Sequence, residues 1–576
     1  MQTYTKIPPF KSNLLLIAIL GTMLLISMRL FQLQIQQSET FYKKSQKNFL
    51  RIEKIEPTRG NILDIHGNMI ATNRPIHNLY WKGTGNRLFT DDKLKILQSI
   101  EKIIDKRLTT NEKLIMQIKQ AERCHKKVLI ASDIPFTFLS KLEEQFSHEN
   151  SISISTDFTR YYPYHSLACH ILGYLGRINV QLGGKMGLEK ILDQTLKGKS
   201  GSILKTINSL GKQLSQTPLQ QALSGIDIKT TVDLNLQKML ENIFPENEIG
   251  TAILMDPGSG GILAMVSRPT FDPNIFLSPI TKKDWKNLQA NNPFLNRAFS
   301  ACYPPGSIFK LITMSAALEN NIIDPEKPWE CKGYVRFGGR NYLCHKLNGH
   351  GTLTASQALE QSCNTYFYEI AKKIDIDLLA DYAQRFGLGQ KTNALFPEQQ
   401  GLVPDKKWKL EHKGERWYKG ETLSASIGQS FLSTTPIQIA RMISSIFTGY
   451  LVTPRILDQE PIVIHPLEIA PDTLAFLKQS MKKVVTQGTG KNISRIKDFE
   501  IYAKTSTAQT SALHKRRLGN IYREHRWFVL YFTYKNNKPI TLVILIEHSE
   551  SAAAAKNTAK KFLIEYKRFV DAYCQE

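Results

Sequence analysis

The sequence predicts an α+β protein of at least two domains behind one N-terminal apolar helix, and three observations predict it. A chain of 576 residues exceeds what one hydrophobic core organises. Its last hundred residues hold apolar runs of strand length, Trp527-Phe528-Val529-Leu530-Tyr531-Phe532 and Thr541-Leu542-Val543-Ile544-Leu545-Ile546, whereas Ile308, Leu311, Ile312, Ser315 and Leu318 repeat at helical spacing. Near the start, Leu14 to Met28 is a continuous apolar to weakly polar run.

Taken in chain order, that run reaches about 20 residues, enough to span a bilayer, once Leu30, Phe31 and Leu33 extend it and Arg29 snorkels to the interface. A cleaved signal peptide competes with an anchor over 14–33. However, Ile26-Ser27-Met28-Arg29 is a poor cleavage sequence, which favours the anchor. Lys6 and Lys11 on one flank face Arg29, Lys43, Lys44 and Lys47 on the other, so charge does not set the orientation. Residues 1–13 are then a tail, 34–245 a pedestal domain and 246–576 a second domain. The second opens on a hairpin, because Ala252-Ile253-Leu254-Met255-Asp256-Pro257 and Gly261-Ile262-Leu263-Ala264-Met265-Val266 flank a turn.

Three short segments of the second domain carry chemistry: Ser307-Ile308-Phe309-Lys310, Ser362-Cys363-Asn364 and Lys504-Thr505-Ser506-Thr507. The S-x-x-K spacing recurs at Ser202/Lys205, Ser209/Lys212 and Ser480/Lys483, where solvated helix or loop residues explain it. Ser307 differs because Tyr303-Pro304-Pro305-Gly306 cannot continue a preceding element, so Ser307 opens a helix. Lys310 then lies one turn on and is a candidate general base, provided that burial and a second cation such as Lys504 lower its pKa. The helix start places the Ser307 N–H where an oxyanion would form. In a strand, Thr505 and Thr507 share a face that could bind a terminal carboxylate beside Lys504, with the Thr507 N–H completing the oxyanion hole. Alternation aims Ser506, which stands where the box ordinarily has glycine, away from both threonines. Ser362 could relay a proton and Asn364 hold an amide.

With the boxes placed, the chain resembles the class B penicillin-binding proteins throughout. The likeness includes Arg59-Gly60-Asn61-Ile62-Leu63-Asp64 with Gly67, Arg160-Tyr161-Tyr162-Pro163 with His170, and Gly187-Leu188-Glu189. Within that class, Trp417-Tyr418-Lys419-Gly420-Glu421-Thr422, Ile427-Gly428-Gln429, Thr434-Thr435-Pro436-Ile437-Gln438 and Arg523-Glu524-His525-Arg526-Trp527-Phe528 look like the elongation type rather than the division type. Ser430 departs from the usual glycine. The resemblance implies a penicillin-binding transpeptidase fold, an antiparallel sheet flanked by helices, on an elongated α+β pedestal that serves dimerisation in the family. It further implies a serine D,D-transpeptidase that cross-links peptidoglycan stem peptides and is inhibited by β-lactams. Its partners would be the inner membrane, a SEDS-family glycosyltransferase and rod-complex proteins, with a cytoplasmic N-terminus and a periplasmic catalytic domain. A β-lactamase or β-lactam sensor explains neither anchor nor pedestal, and a catalytically silent scaffold draws support from Ser506 alone.

Seven cysteines, an odd number, argue against a complete disulfide framework. Cys331, Cys344, His350 and Cys363, spaced by 13, 6 and 13, supply the donors of a closed structural zinc site, and elongation-type relatives resemble this arrangement. A Cys331–Cys344 disulfide and unlinked core thiols are the alternatives. The formal charge of +24 raises nucleic acid as a partner, but the basic residues are scattered and no nucleic-acid-binding signature accompanies them.

Overall fold

A computed structural model describes residues 9–86, 88–124, 126–178, 181–208, 213–509 and 522–573. By contact, the chain divides into two compact units, one of residues 1–59, 73–159 and 197–225, the other of 60–72, 160–196 and 226–576.

The first unit holds the apolar N-terminus. Over Asn13–Gln36 it is helical with mean hydropathy 2.3, long and apolar enough for one membrane span. The same unit has an antiparallel sheet of Leu50–Ile55, Gly201–Ile207 and Gln213–Gln220. Its globular part packs the helices Asp91–Ile104, Glu112–Arg123 and Phe136–Phe146 on a core that includes Leu79, Trp81, Leu97, Ile100 and Ile118. The Trp81 indole N–H donates to the buried Glu122, whose charge Lys93 offsets.

In the second unit five antiparallel strands form the central sheet: β1 (Gly250–Met255), β2 (Ile262–Arg268), β3 (Phe499–Ala508), β4 (His525–Tyr534) and β5 (Ile540–Ile546), in the order β2-β1-β5-β4-β3. Successive side chains point to opposite faces, and both faces are covered. Ala252, Leu254, Phe528, Leu542 and Ile544 join a core with the helices Leu234–Ile243 and Ala554–Tyr573, while Ile253, Met255, Val529, Val543 and Leu545 join the core of the helices Lys310–Glu319, Pro436–Thr448 and Pro471–Thr486. That is why these strands read as unbroken apolar runs although the sheet is antiparallel. The resemblance implied this arrangement, an antiparallel sheet flanked by helices.

Several motifs noted in the sequence have local structural reasons. Thr435 and Gln438 form a capping box with Pro436 in the first turn of the Pro436–Thr448 helix, which ends on Gly449 at φ +79°. Arg160 and Glu189 form a buried pair at 2.7 Å, with the Tyr162 hydroxyl on the same carboxylate oxygen and Gly60 O accepting from the guanidinium. Asp64, fully buried, accepts from the His66 and Asn68 backbone N–H groups.

Candidate active site

The three boxes converge on one cleft of the second unit, a cavity of about 590 Å³ lined by Ser307, Ser362, Asn364 and Thr505 to Thr507. The other S-x-x-K pairs lie elsewhere. Ser202 and Lys205 are on a strand, Ser480 and Lys483 both bond Ser356, and Ser209 and Lys212 fall outside the described residues.

The turn that presents Ser307 is fixed by glycine. Gly306 sits at φ +54° and donates its N–H to Gly428 O, and a Cβ on Gly428, itself at φ +72°, would meet Gly306 O at 2.1 Å. Ser430, where glycine is usual, lies at φ +70° and takes the backbone strain of that replacement. Gly306–Ile308 is a 3₁₀ turn that runs into the Lys310–Glu319 helix. Ser307 lies in the 3₁₀ turn and Lys310 is the first residue of the α-helix that follows. Helix onset is therefore tighter than the plain α-helical start expected.

Lys310 and Lys504 are both fully buried, and their ammonium nitrogens approach one hydroxyl: Ser362 Oγ lies 3.2 Å from Lys310 Nζ and 3.0 Å from Lys504 Nζ. Lys310 also donates to Ser362 O and Asn364 Oδ1, each at 2.7 Å. Among the described residues its hydrogen bonds go to Ser362 and Asn364, not to Ser307. Its three acceptors, the Ser362 hydroxyl and the two carbonyl oxygens, leave no carboxylate to hold a charge on the amine. Ser362 holds this position at φ +54°, between the helices Ala355–Glu360 and Asn364–Lys373.

Burial pulls Lys310 down to about 8 from its usual 10.5, against the smaller opposing influence of Cys363 and Cys344. Burial, and then the charge of Lys310, hold Lys504 well below its ordinary value. The expected help from a second cation thus acts on Lys504, while the lowering at Lys310 comes from burial.

On β3, the edge strand, Lys504 and Ser506 turn inward and Thr505 and Thr507 to the other side, the alternation read from sequence. Ser506 Oγ donates to Pro305 O at 2.8 Å, so it ties the strand to the turn that carries Ser307. Thr505 shares a hydrogen with Thr489 at 2.7 Å, and Thr507 accepts from Arg526 at 2.9 Å. Thr489, Glu524 and Arg526 also line the cavity; the sequence marked Glu524 and Arg526 only within the Arg523–Phe528 run and Thr489 not at all, because strand register and helix packing bring them there.

Beside the cleft, Cys331, Cys344, His350 and Cys363 gather so that their donor atoms lie within 4.8 Å of one another. The thiols are unlinked. His350 Nδ1 is 3.5 Å from Cys331 Sγ and 3.6 Å from Cys344 Sγ, and Cys344 and Cys363 sulfurs are 3.9 Å apart. Tetrahedral zinc with ordinary bond lengths sets such edges at about 3.5 Å for S···N and about 3.8 Å for S···S. Thr365 Oγ1 lies within 3.0 Å of Cys331 Sγ and 3.2 Å of Cys363 Sγ, the outer support that thiolate ligands usually have. The residues fit the ion.

Two family models match: the penicillin binding protein transpeptidase domain over residues 250–564 and the penicillin-binding protein dimerisation domain over 54–230. Among curated proteins the chain is 29% identical to the peptidoglycan D,D-transpeptidase MrdA of Acinetobacter baumannii, over 93% of this chain and 84% of that one. Among solved structures it superposes on penicillin-binding protein 2 of Helicobacter pylori, determined in complex with MreC, with a TM-score of 0.78 and 27% identity over 91% of this chain and 99% of that one. A chain from a structure titled for the coordination of polymerization and crosslinking by a peptidoglycan synthase complex gives a TM-score of 0.74 and 27% identity over 96% of this chain and 98% of that one. The chain belongs to the penicillin-binding protein transpeptidases, and within them to the elongation, penicillin-binding protein 2, type.

Proposed function

We propose that this chain cross-links peptidoglycan stem peptides as a D,D-transpeptidase of cell elongation, with Ser307 as the acylated nucleophile. The observation that carries this reading is the convergence of two buried lysines on the Ser362 hydroxyl beside Ser307. Neutral Lys310 takes the proton as Ser307 attacks the penultimate D-alanine carbonyl. The backbone N–H groups of Ser307 and Thr507 hold the oxyanion. Ser362 passes a proton to the departing amine, and terminal D-alanine leaves. Asn364 holds the acyl-side amide, while Lys504, Thr505 and Thr507 receive the terminal carboxylate. An amine of a neighbouring stem then resolves the acyl-enzyme. β-Lactams present a strained amide to the same serine and stop at the acyl stage.

Fluorescent penicillin tests this directly. One acyl group on Ser307, abolished in Ser307→Ala, is expected; an adduct on Ser362, or labelling that persists in the alanine variant, refutes the assignment.

Cys331, Cys344, His350 and Cys363 would hold a structural zinc ion, which would fix Ser362 and Asn364 through the cysteine between them. Stoichiometric metal should be found, and its removal should lower both stability and acylation. A metal-free, fully active preparation refutes the zinc. The apolar helix anchors the chain in the inner membrane with the N-terminus cytoplasmic and the catalytic unit periplasmic, where the substrate lies. An MreC-like rod-complex protein and a SEDS-family glycosyltransferase are the partners this placement fits, in line with the MreC complex and the peptidoglycan synthase complex in which the two similar chains were determined.

A further inference from the structure

β3 and β4 pair antiparallel, and the register sets Thr507 directly opposite Arg526. Directly opposed residues share a face of the sheet. The Arg526 guanidinium donates through Nη1 to Thr507 Oγ1 at 2.9 Å, and its Nη2 lies 2.7 Å from Glu524 Oε2. Arg526 and Glu524 line the same cavity as Ser307.

Two consequences follow from the donor count. Because Thr507 Oγ accepts from the guanidinium, its own hydrogen is free for an acceptor in the cleft. A guanidinium has five N–H donors, and these two contacts commit only two, while Nε is buried with no partner among the described residues. Covering Nε while the rest of the guanidinium stays partly exposed at the cleft is costly for a purely structural role. The planar fork, by contrast, matches an incoming carboxylate.

We propose that Arg526 is a specificity-determining residue that recognises the terminal carboxylate of the acyl donor, both by orienting the Thr507 hydroxyl and by offering its own free donors. Glu524 tethers the guanidinium and keeps it from folding onto other anions. The inference rests on the transpeptidase reading of the cleft. It adds to that reading an anchor on β4, outside the three boxes.

The test compares benzylpenicillin with its methyl ester, which keeps the reactive amide and lacks the charge, on the full-length protein in detergent. Second-order acylation rate constants are measured for the natural chain, Arg526→Gln and Arg526→Lys. A charge-assisted bond predicts that Arg526→Gln slows benzylpenicillin by about 10- to 100-fold. The ester should change by less than about threefold, and Arg526→Lys should recover part of the loss. Equal slowing of both reagents, or no change in either, overturns the proposal. If the glutamine variant fails to fold by circular dichroism, the lysine variant decides alone: an unchanged ratio of the two rates overturns the proposal, and a reduced ratio supports it. Failure of the natural chain to react with either reagent would remove the transpeptidase reading itself, an outcome distinct from an unchanged ratio.

Discussion

Lys310 and Lys409 are both buried in the second unit, and their pKa values are pushed in opposite directions. Lys409 Nζ reaches both oxygens of Glu421, at 2.7 and 2.8 Å, with Glu415 at 3.5 Å and the Tyr418 ring beneath it. Burial opposes its charge, yet the glutamates outweigh burial and hold it above its ordinary value. The immediate partners of Lys310 are two carbonyl oxygens and a hydroxyl, and burial prevails. Depth alone therefore does not decide whether a lysine is an ion or a base. What decides is whether a carboxylate stands in reach.

The strongest way to break this comparison is to delete each lysine. Lys310→Ala should cut penicillin acylation by about a thousandfold, inside the range of lost general-base catalysis. A rate within tenfold of the natural chain would show that Lys310 is not the base. Lys409→Ala removes the cation that bridges the partly exposed Glu421 and should cost about 1–3 kcal/mol of stability, the range for losing a charge-assisted hydrogen bond. In thermal melts that variant should unfold early, with acylation of the folded fraction unchanged; lost acylation without a lower Tm would mean that Lys409 acts on the chemistry.

The pH profile sharpens the contrast. The base-competent form of Lys310 is neutral, so acylation should rise with pH through about 8. The unfolded chain keeps that proton up to about 10.4. Between the two values the unfolded state binds more protons, so Lys310 should add stability as pH rises. Stopped-flow acylation rates that are flat from pH 6 to 10 would place the proton elsewhere.

The smallest effect concerns Ser506. Its removal in Ser506→Gly takes the shorter of two donors from Pro305 O, which keeps the Ile308 N–H at 3.4 Å, and should cost about 1 kcal/mol of stability or less. The acylation rate should move by a factor of a few only, because the hydroxyl faces the Pro305–Gly306 turn. A hundredfold gain on the same labelling assay would show that the serine obstructs the cleft.

Much of this was legible in the chain. The three boxes, their order, the helix that begins at the Pro-Pro-Gly turn and the two-faced strands are all local patterns, and local patterns follow from backbone sterics and burial period. The alternation of Lys504 through Thr507 was legible for the same reason. Cys331, Cys344, His350 and Cys363 could be nominated as a zinc set from residue type, but their gathering within 4.8 Å depends on packing.

What only the tertiary structure decided is non-local. Lys504 meets Ser362 across 142 residues, and Ser506 meets Pro305 across 201, contacts fixed by sheet register and by the packing of β3 on the Gly306 turn. The same packing assigns the lowered pKa of Lys310 to burial rather than to Lys504 and sends the Lys310 hydrogen bonds to Ser362 and Asn364. Arg526 enters the cleft because one strand pairing sets it across from Thr507. A sequence states which groups are present and how they repeat, but the dielectric around a charge and the partner across a strand exist only after distant segments have packed.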